Sequence, residues 1–96
     1  MIDYVEKMMD QGGKVPAKLK KALNKFFSEV DCSEGCIIRV NWDGHPICLI
    51  FESSDLYSYL SGEFGWGVHT KFHDAFAGTG YYPEMVNSCV VSFYKD

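Results

Sequence analysis

Apolar and polar positions follow two rhythms along the 96-residue chain, and each rhythm predicts an element. Residues 2–10 read as a short helix closed by Gln11-Gly12-Gly13, where glycine backbone entropy opposes further helix. Leu19, Ala22, Leu23, Phe26, Phe27 and Val30 then recur at spacings of three and four, the stripe of one helical face. Pro16 suits the first turn of that helix, because its φ is preset and it has no N–H to leave unbonded. Lys14, Lys18, Lys21 and Lys25 fall opposite, most simply as the solvated side of an amphipathic helix.

From Cys36 to Phe51 the period changes to two, with Asp43-Gly44 at the midpoint. Asp-Gly favours a two-residue type I′ turn, whose positive φ angles match strand twist. That turn pairs Trp42 with His45, Val40 with Ile47, Ile38 with Leu49 and Cys36 with Phe51, the predicted core face. Ile37, Arg39, Asn41, Cys48 and Ile50 share a mixed second face, either partly covered or a binding surface. Glu52-Ser53-Ser54-Asp55 reads as a helix start, with a serine cap and acids in the first turn. A short helix over 56–61 follows, then the glycine-punctuated loop Glu63-Phe64-Gly65-Trp66-Gly67. A second short helix carries Val68, Phe72, Ala75 and Phe76 and stops at Gly78-Thr79-Gly80. Tyr81 to Glu84 reads as a loop. Residues 88–94 alternate as a third strand, with Cys89, Val91 and Phe93 inward and Ser88, Ser92 and Tyr94 outward. The expected fold is α+β, one domain over residues 1–96, in the order α-α-β-β-α-α-β. Its three-stranded antiparallel sheet carries helices mainly on one face.

Apolar residues make up 47% and aromatics 16%, ample for a packed core and incompatible with a disordered chain. Net charge is −4, unevenly spread. Residues 1–31 carry six lysines and five acids, whereas residues 32–96 carry three basic residues and eight acids. An acidic body is unsuited to gripping phosphate backbones, so direct nucleic-acid binding is not expected. It suits a basic protein partner instead. Neither a signal peptide nor a run long enough to span a bilayer is legible, so a cytoplasmic protein with reduced thiols and no membrane partner is expected.

Cys32-x3-Cys36 and His69-x3-His73 form the sharpest metal candidate. Histidines at i and i+4 share a helical face, and two thiolates with two imidazoles make a tetrahedral zinc shell. Against it, 32 residues separate Cys36 from His69, where zinc fingers place about a dozen. A thiol active site built from Cys36, Cys48 or Cys89 with His45, His69 or His73 and Asp74 has no local sequence mark. No catalytic signature is present, and the chain is read as a non-enzyme without a cofactor, zinc being the exception to test. The glycines at 62, 65, 67, 78 and 80 lack the strand–glycine–helix spacing of a phosphate cradle and read as loops. Phe64, Trp66, Tyr81 and Tyr82, with Trp42 at the hairpin tip, exceed what a small core needs. Beside Asp43, Glu63 and Glu84 they compose an acidic-aromatic surface, a mixture typical of interface centres.

The run Ile37-Ile38-Arg39-Val40-Asn41-x-Asp43-Gly44, followed by Glu52-Ser53 and then a helix, resembles the hairpin of a family of small acidic prophage anti-CRISPR proteins. That family blocks the type II CRISPR effector nuclease. It occupies the cleft that reads the DNA motif beside the target and pushes its hairpin tip into a nuclease pocket. The resemblance implies that Asn41, Asp43 and Gly44 sit at that contact with His45 beside them. The leading expectation is a non-enzymatic inhibitor of a basic nuclease or nucleic-acid-binding protein. Its charged contacts would be Asp43, Glu52, Glu63 and Glu84, and its anchors Trp42, Trp66, Tyr81 and Tyr82. An immunity protein that neutralises a toxin nuclease uses the same physics. A small zinc-stabilised domain on Cys32, Cys36, His69 and His73 is the alternative of another class.

Overall fold

Asp3 opens the first helix by accepting the Glu6 N–H on its carboxylate at 3.1 Å. The computed structural model describes residues 2–60 and 67–96, with side chains from residue 70 onward in the second stretch. The helices are α1 (Tyr4–Met8), α2 (Ala17–Glu29), α3 (Leu56–Leu60) and α4 (Gly67–Asp74). The strands are β1 (Ile37–Trp42), β2 (His45–Ile50), β3 (Tyr81–Asn87) and β4 (Val90–Lys95). Pro16 stands one position ahead of α2 as its cap, and its carbonyl accepts the Lys20 N–H at 2.8 Å. Ser54 caps α3: its hydroxyl accepts the Leu56 N–H at 3.1 Å and donates to the Cys32 carbonyl.

The fold is α+β with an antiparallel sheet, as the alternating patterns indicate, but the sheet has four strands in the order β1-β2-β4-β3. The expected loop at Tyr81–Glu84 is the start of β3, and the expected third strand is β4, shifted so that Cys89 lies in the turn before it. Pro83 hid the additional strand, because proline removes a ladder donor and is confined to edges. The geometry shows why it is tolerated. The Asp96 N–H donates to the Gly80 carbonyl at 2.8 Å, which sets the phase of the β3–β4 ladder. By alternation, Tyr82 and Glu84 then exchange backbone bonds with Tyr94 and Ser92, while Tyr81, Pro83 and Met85 turn theirs outward. The missing Pro83 N–H therefore costs the sheet nothing.

The same phase blunts the free edge. Tyr81 gives its outward N–H to the Thr79 hydroxyl at 3.2 Å, Pro83 has none, and a bulge follows between Met85 and Asn87. At the opposite edge Met9 makes a parallel bridge to Ile38, and Asp10 binds the Arg39 guanidinium at 2.8 and 3.1 Å. Both edges are thus partly protected against strand addition.

The core lies between the helices and one sheet face. Val5 and Met8 of α1, Leu19, Leu23, Phe26 and Phe27 of α2, and Leu56 and Leu60 of α3 meet Ile38, Ile47, Leu49, Val91 and Phe93. Phe72 and Phe76 extend a chain of edge-to-face rings from Phe26 to Phe93, with centroids 4.7–5.1 Å apart. At Gly35 (φ +86°) a side chain would collide with the Ser53 carbonyl, so the β1 entry and the α3 entry touch through a residue that must be glycine.

Candidate functional site

The second sheet face receives no helix of the described residues. Its middle row runs Arg39, Cys48, Ser92, Glu84 across β1, β2, β4 and β3. Cys48 and Ser92 are fully covered by their neighbours, and Ile37, Ile50 and Val90 lie in the adjoining row. Toward the hairpin tip the face is aromatic: the Tyr82 and Tyr94 rings pack at 5.9 Å, with Tyr82 43% exposed.

The tip departs from the strict alternation that its sequence suggests. Asp43 (φ +50°) and Gly44 (φ +79°) form the expected turn, and the Trp42–His45 pairing is as read. Asn41 also has positive φ, +56°, an uncommon backbone state in which asparagine is favoured over most residues. Strict alternation puts Trp42 and His45 on the core side, whereas their expected role as contact residues puts them at the surface tip; both are half-buried. Neither joins the core cluster. The Arg39 guanidinium lies 5.9 Å from the Trp42 ring, and His45 Nδ1 and the Tyr94 hydroxyl are hydrogen-bonded at 3.0 Å. Arg39 is therefore held on two sides, by the Asp10 carboxylate and by an indole, and presents a neutralised plane rather than a free cation.

Among the sequence-derived contact residues, the fold brings together Asn41, Trp42, Asp43, Gly44 and His45 at the tip, with Tyr82 and Glu84 on the same sheet face. Asn41, Asp43, Gly44 and Glu84 are exposed. Tyr81 turns the other way and packs against the core. Glu52 follows β2 at the end of the hairpin remote from the tip, roughly 20 Å away by strand rise. Glu63 and Trp66 lie outside the described residues. Arg39 and Tyr94 join the face although they were not singled out for the site; strand parity places both on the uncovered side.

The metal-candidate cysteines are buried. The Cys36 thiol donates to the Cys32 carbonyl at 3.4 Å. Burial, then the neighbouring Cys36, Asp31 and Asp55, push the Cys32 thiol up to about 12. Burial pushes Cys36 up to about 11 against a hydrogen bond with Ser54. Both thiols lie in the core cluster, and ligation would need them as thiolates. His73 is exposed on α4, and the His69 side chain lies outside the described residues. Among the described residues no group of three or more His, Cys, Asp or Glu is arranged to hold a metal.

Burial also raises Cys48, against a hydrogen bond with Ser92. The half-buried Cys89 thiol donates to Asn87 Oδ1 at 3.3 Å. No hydrogen bond joins a described cysteine to His45, whose ring is engaged with Tyr94. What the face offers is shape and charge: a projecting acidic turn beside a shelf of aromatic rings. No family model, no curated protein and no solved structure matches this chain.

Proposed function

We propose that this chain is a non-enzymatic inhibitor that binds a basic protein surface through its hairpin tip and uncovered sheet face. The most specific form of the proposal is that the partner is a CRISPR effector nuclease and the surface is its nucleic-acid-binding cleft. One observation carries it: Trp42 and His45 at the tip contact Arg39 and Tyr94 of the open face, and Asp43 is exposed at the turn between them. Tryptophan, tyrosine and arginine flanked by acids is the composition of interface hot spots. Asp43 at the turn and Glu84 on the face supply the acidic contacts, the complement of a cleft lined with Lys and Arg. Partly protected sheet edges favour recognition by a face and a turn over strand addition.

The test is a DNA-cleavage assay of a purified, guide-loaded type II effector titrated with the protein. Inhibition should weaken with salt, and Asp43→Lys with Glu84→Lys should raise the half-inhibitory concentration by at least about tenfold. Trp42→Ala should do the same through lost burial, by about thirtyfold. No inhibition at any excess removes the CRISPR form. Inhibition unchanged by the paired charge reversals removes the tip and face as the binding surface.

A further inference from the structure

Between Asp10 and Glu29 the chain holds five lysines and no acid. Lys20 turns toward α1, 3.0 Å from Asp3 and 3.6 Å from Glu6. Lys14, Lys18, Lys21 and Lys25 are exposed and, among the described residues, have no ion pair. Asp3 and Glu6 are committed to Lys20, Asp10 to Arg39 and Glu29 to Lys71, while Asp74 lines a separate cavity with Lys25. Beside this stripe α1 and α2 bound an open cleft of about 580 Å³. It is lined by Ile2, Tyr4, Ala17, Lys21, Asn24 and Lys25, and Ile2 is half exposed. A solvated amphipathic helix accounts for the lysines alone; it does not account for an apolar cleft with an exposed isoleucine beside them.

We propose that this cleft is a docking site for an acidic peptide segment carrying an apolar anchor. Lys21 and Lys25, the unpaired lysines that line it, select carboxylates, and the Ile2–Tyr4–Ala17 surface takes the anchor. A nucleic-acid backbone would use the charge and leave the apolar surface empty. The cleft follows α2 from Ala17 to Ser28, about 17 Å of helix, which matches roughly five residues of extended peptide. The site belongs to the helical layer, so it is independent of the sheet-face reading.

The experiment is an amide-shift titration of the isotopically labelled full chain with three heptapeptides: glutamates with two leucines, the same with serine for leucine, and the leucine peptide with lysine for glutamate. Phosphatidylserine vesicles and a DNA duplex are titrated in parallel. The leucine–glutamate peptide should shift Ile2, Tyr4 and residues 17–28. Serine for leucine should weaken binding by at least about tenfold, as should Lys21→Glu with Lys25→Glu. Ile2→Ser probes the apolar part at a position outside every helix, and should weaken the leucine peptide only. Equal binding of the serine peptide, shifts confined to other elements, or binding of vesicles or DNA without the leucine–glutamate peptide would each overturn the proposal.

Discussion

Gly35 is the residue whose identity is most tightly imposed, because positive φ and contact with the Ser53 carbonyl act together. Gly35→Ala should cost about 1–3 kcal/mol or more in urea unfolding, whereas Gly44→Ala meets open space and bears the φ cost alone. The cysteines separate by environment. Cys32, Cys36 and Cys48 are buried and raised, while Cys89 is half buried in the β3–β4 turn. A thiol reagent at neutral pH should label Cys89 first and the others only on unfolding. The raised values also fix a sign. The unfolded thiols ionise near 9.0 and the folded Cys32 and Cys36 near 12 and 11, so their contribution is intact below pH 9 and lost as pH rises beyond it. A fall in urea midpoint from pH 8 to pH 10 that is smaller in the Cys32→Ala, Cys36→Ala variant is the expected result.

Among the elements, α1 is too short to be stable alone and depends on its docking. Asn24 of α2 provides that docking. Its side-chain oxygen accepts the Val5 N–H at 3.0 Å, and its amide donates to Asp3 at 3.2 Å. Asn24→Ala should destabilise by about 1–3 kcal/mol, read as early loss of amide protection at Val5. Asp3 is held below the usual carboxylate value of 3.8 by the Glu6 N–H and then by Lys20, and Asp10 by its hydrogen bond to Arg39. Depressed carboxylates add stability above that value and lose it as pH falls through their lower folded values. Residues 3–10 should therefore loosen below about pH 4, before the sheet does. At the other edge, Pro83→Thr with Thr79→Val restores outward donors at residues 81 and 83. Self-association in size-exclusion chromatography should rise, because the lack of free outward donors is what blunts the edge.

On the scale of the molecule, an aromatic seam joins the halves of the chain. Phe26 of α2 meets Phe72 of α4, which meets Phe76 and Phe93. Phe72→Ala should cost about 3–5 kcal/mol, a large share of the stability of a domain this size. The helical layer carries the exposed lysines of α2, and the sheet carries Asp43 at its tip and Glu84 on its open face. Two partners of opposite charge can therefore be sought on one small body, and salt should weaken both associations.

Much of the architecture was legible in local pattern. The stripe Leu19–Phe27 needs no neighbour to declare a helix, and Asp43-Gly44 sets the hairpin register through the φ angles of its own two residues. Ser54 as a cap is likewise a local hydrogen-bond property. β3 was hidden, because whether Pro83 breaks a strand depends on the direction its missing N–H would face, and β4 alone sets that. Alternation and turn position pull Trp42 and His45 two ways, toward the core side and toward the surface tip, and their contacts with Arg39 and Tyr94 exist only in the folded sheet. For the candidate site, residue type announced an acidic-aromatic character. Pairing across strands placed Asp43, Tyr82 and Glu84 on one side and sent Glu52 to the far end and Tyr81 to the core. Local propensity is written in neighbours along the chain, whereas a shared face exists only once non-local hydrogen bonds have set which strands lie side by side.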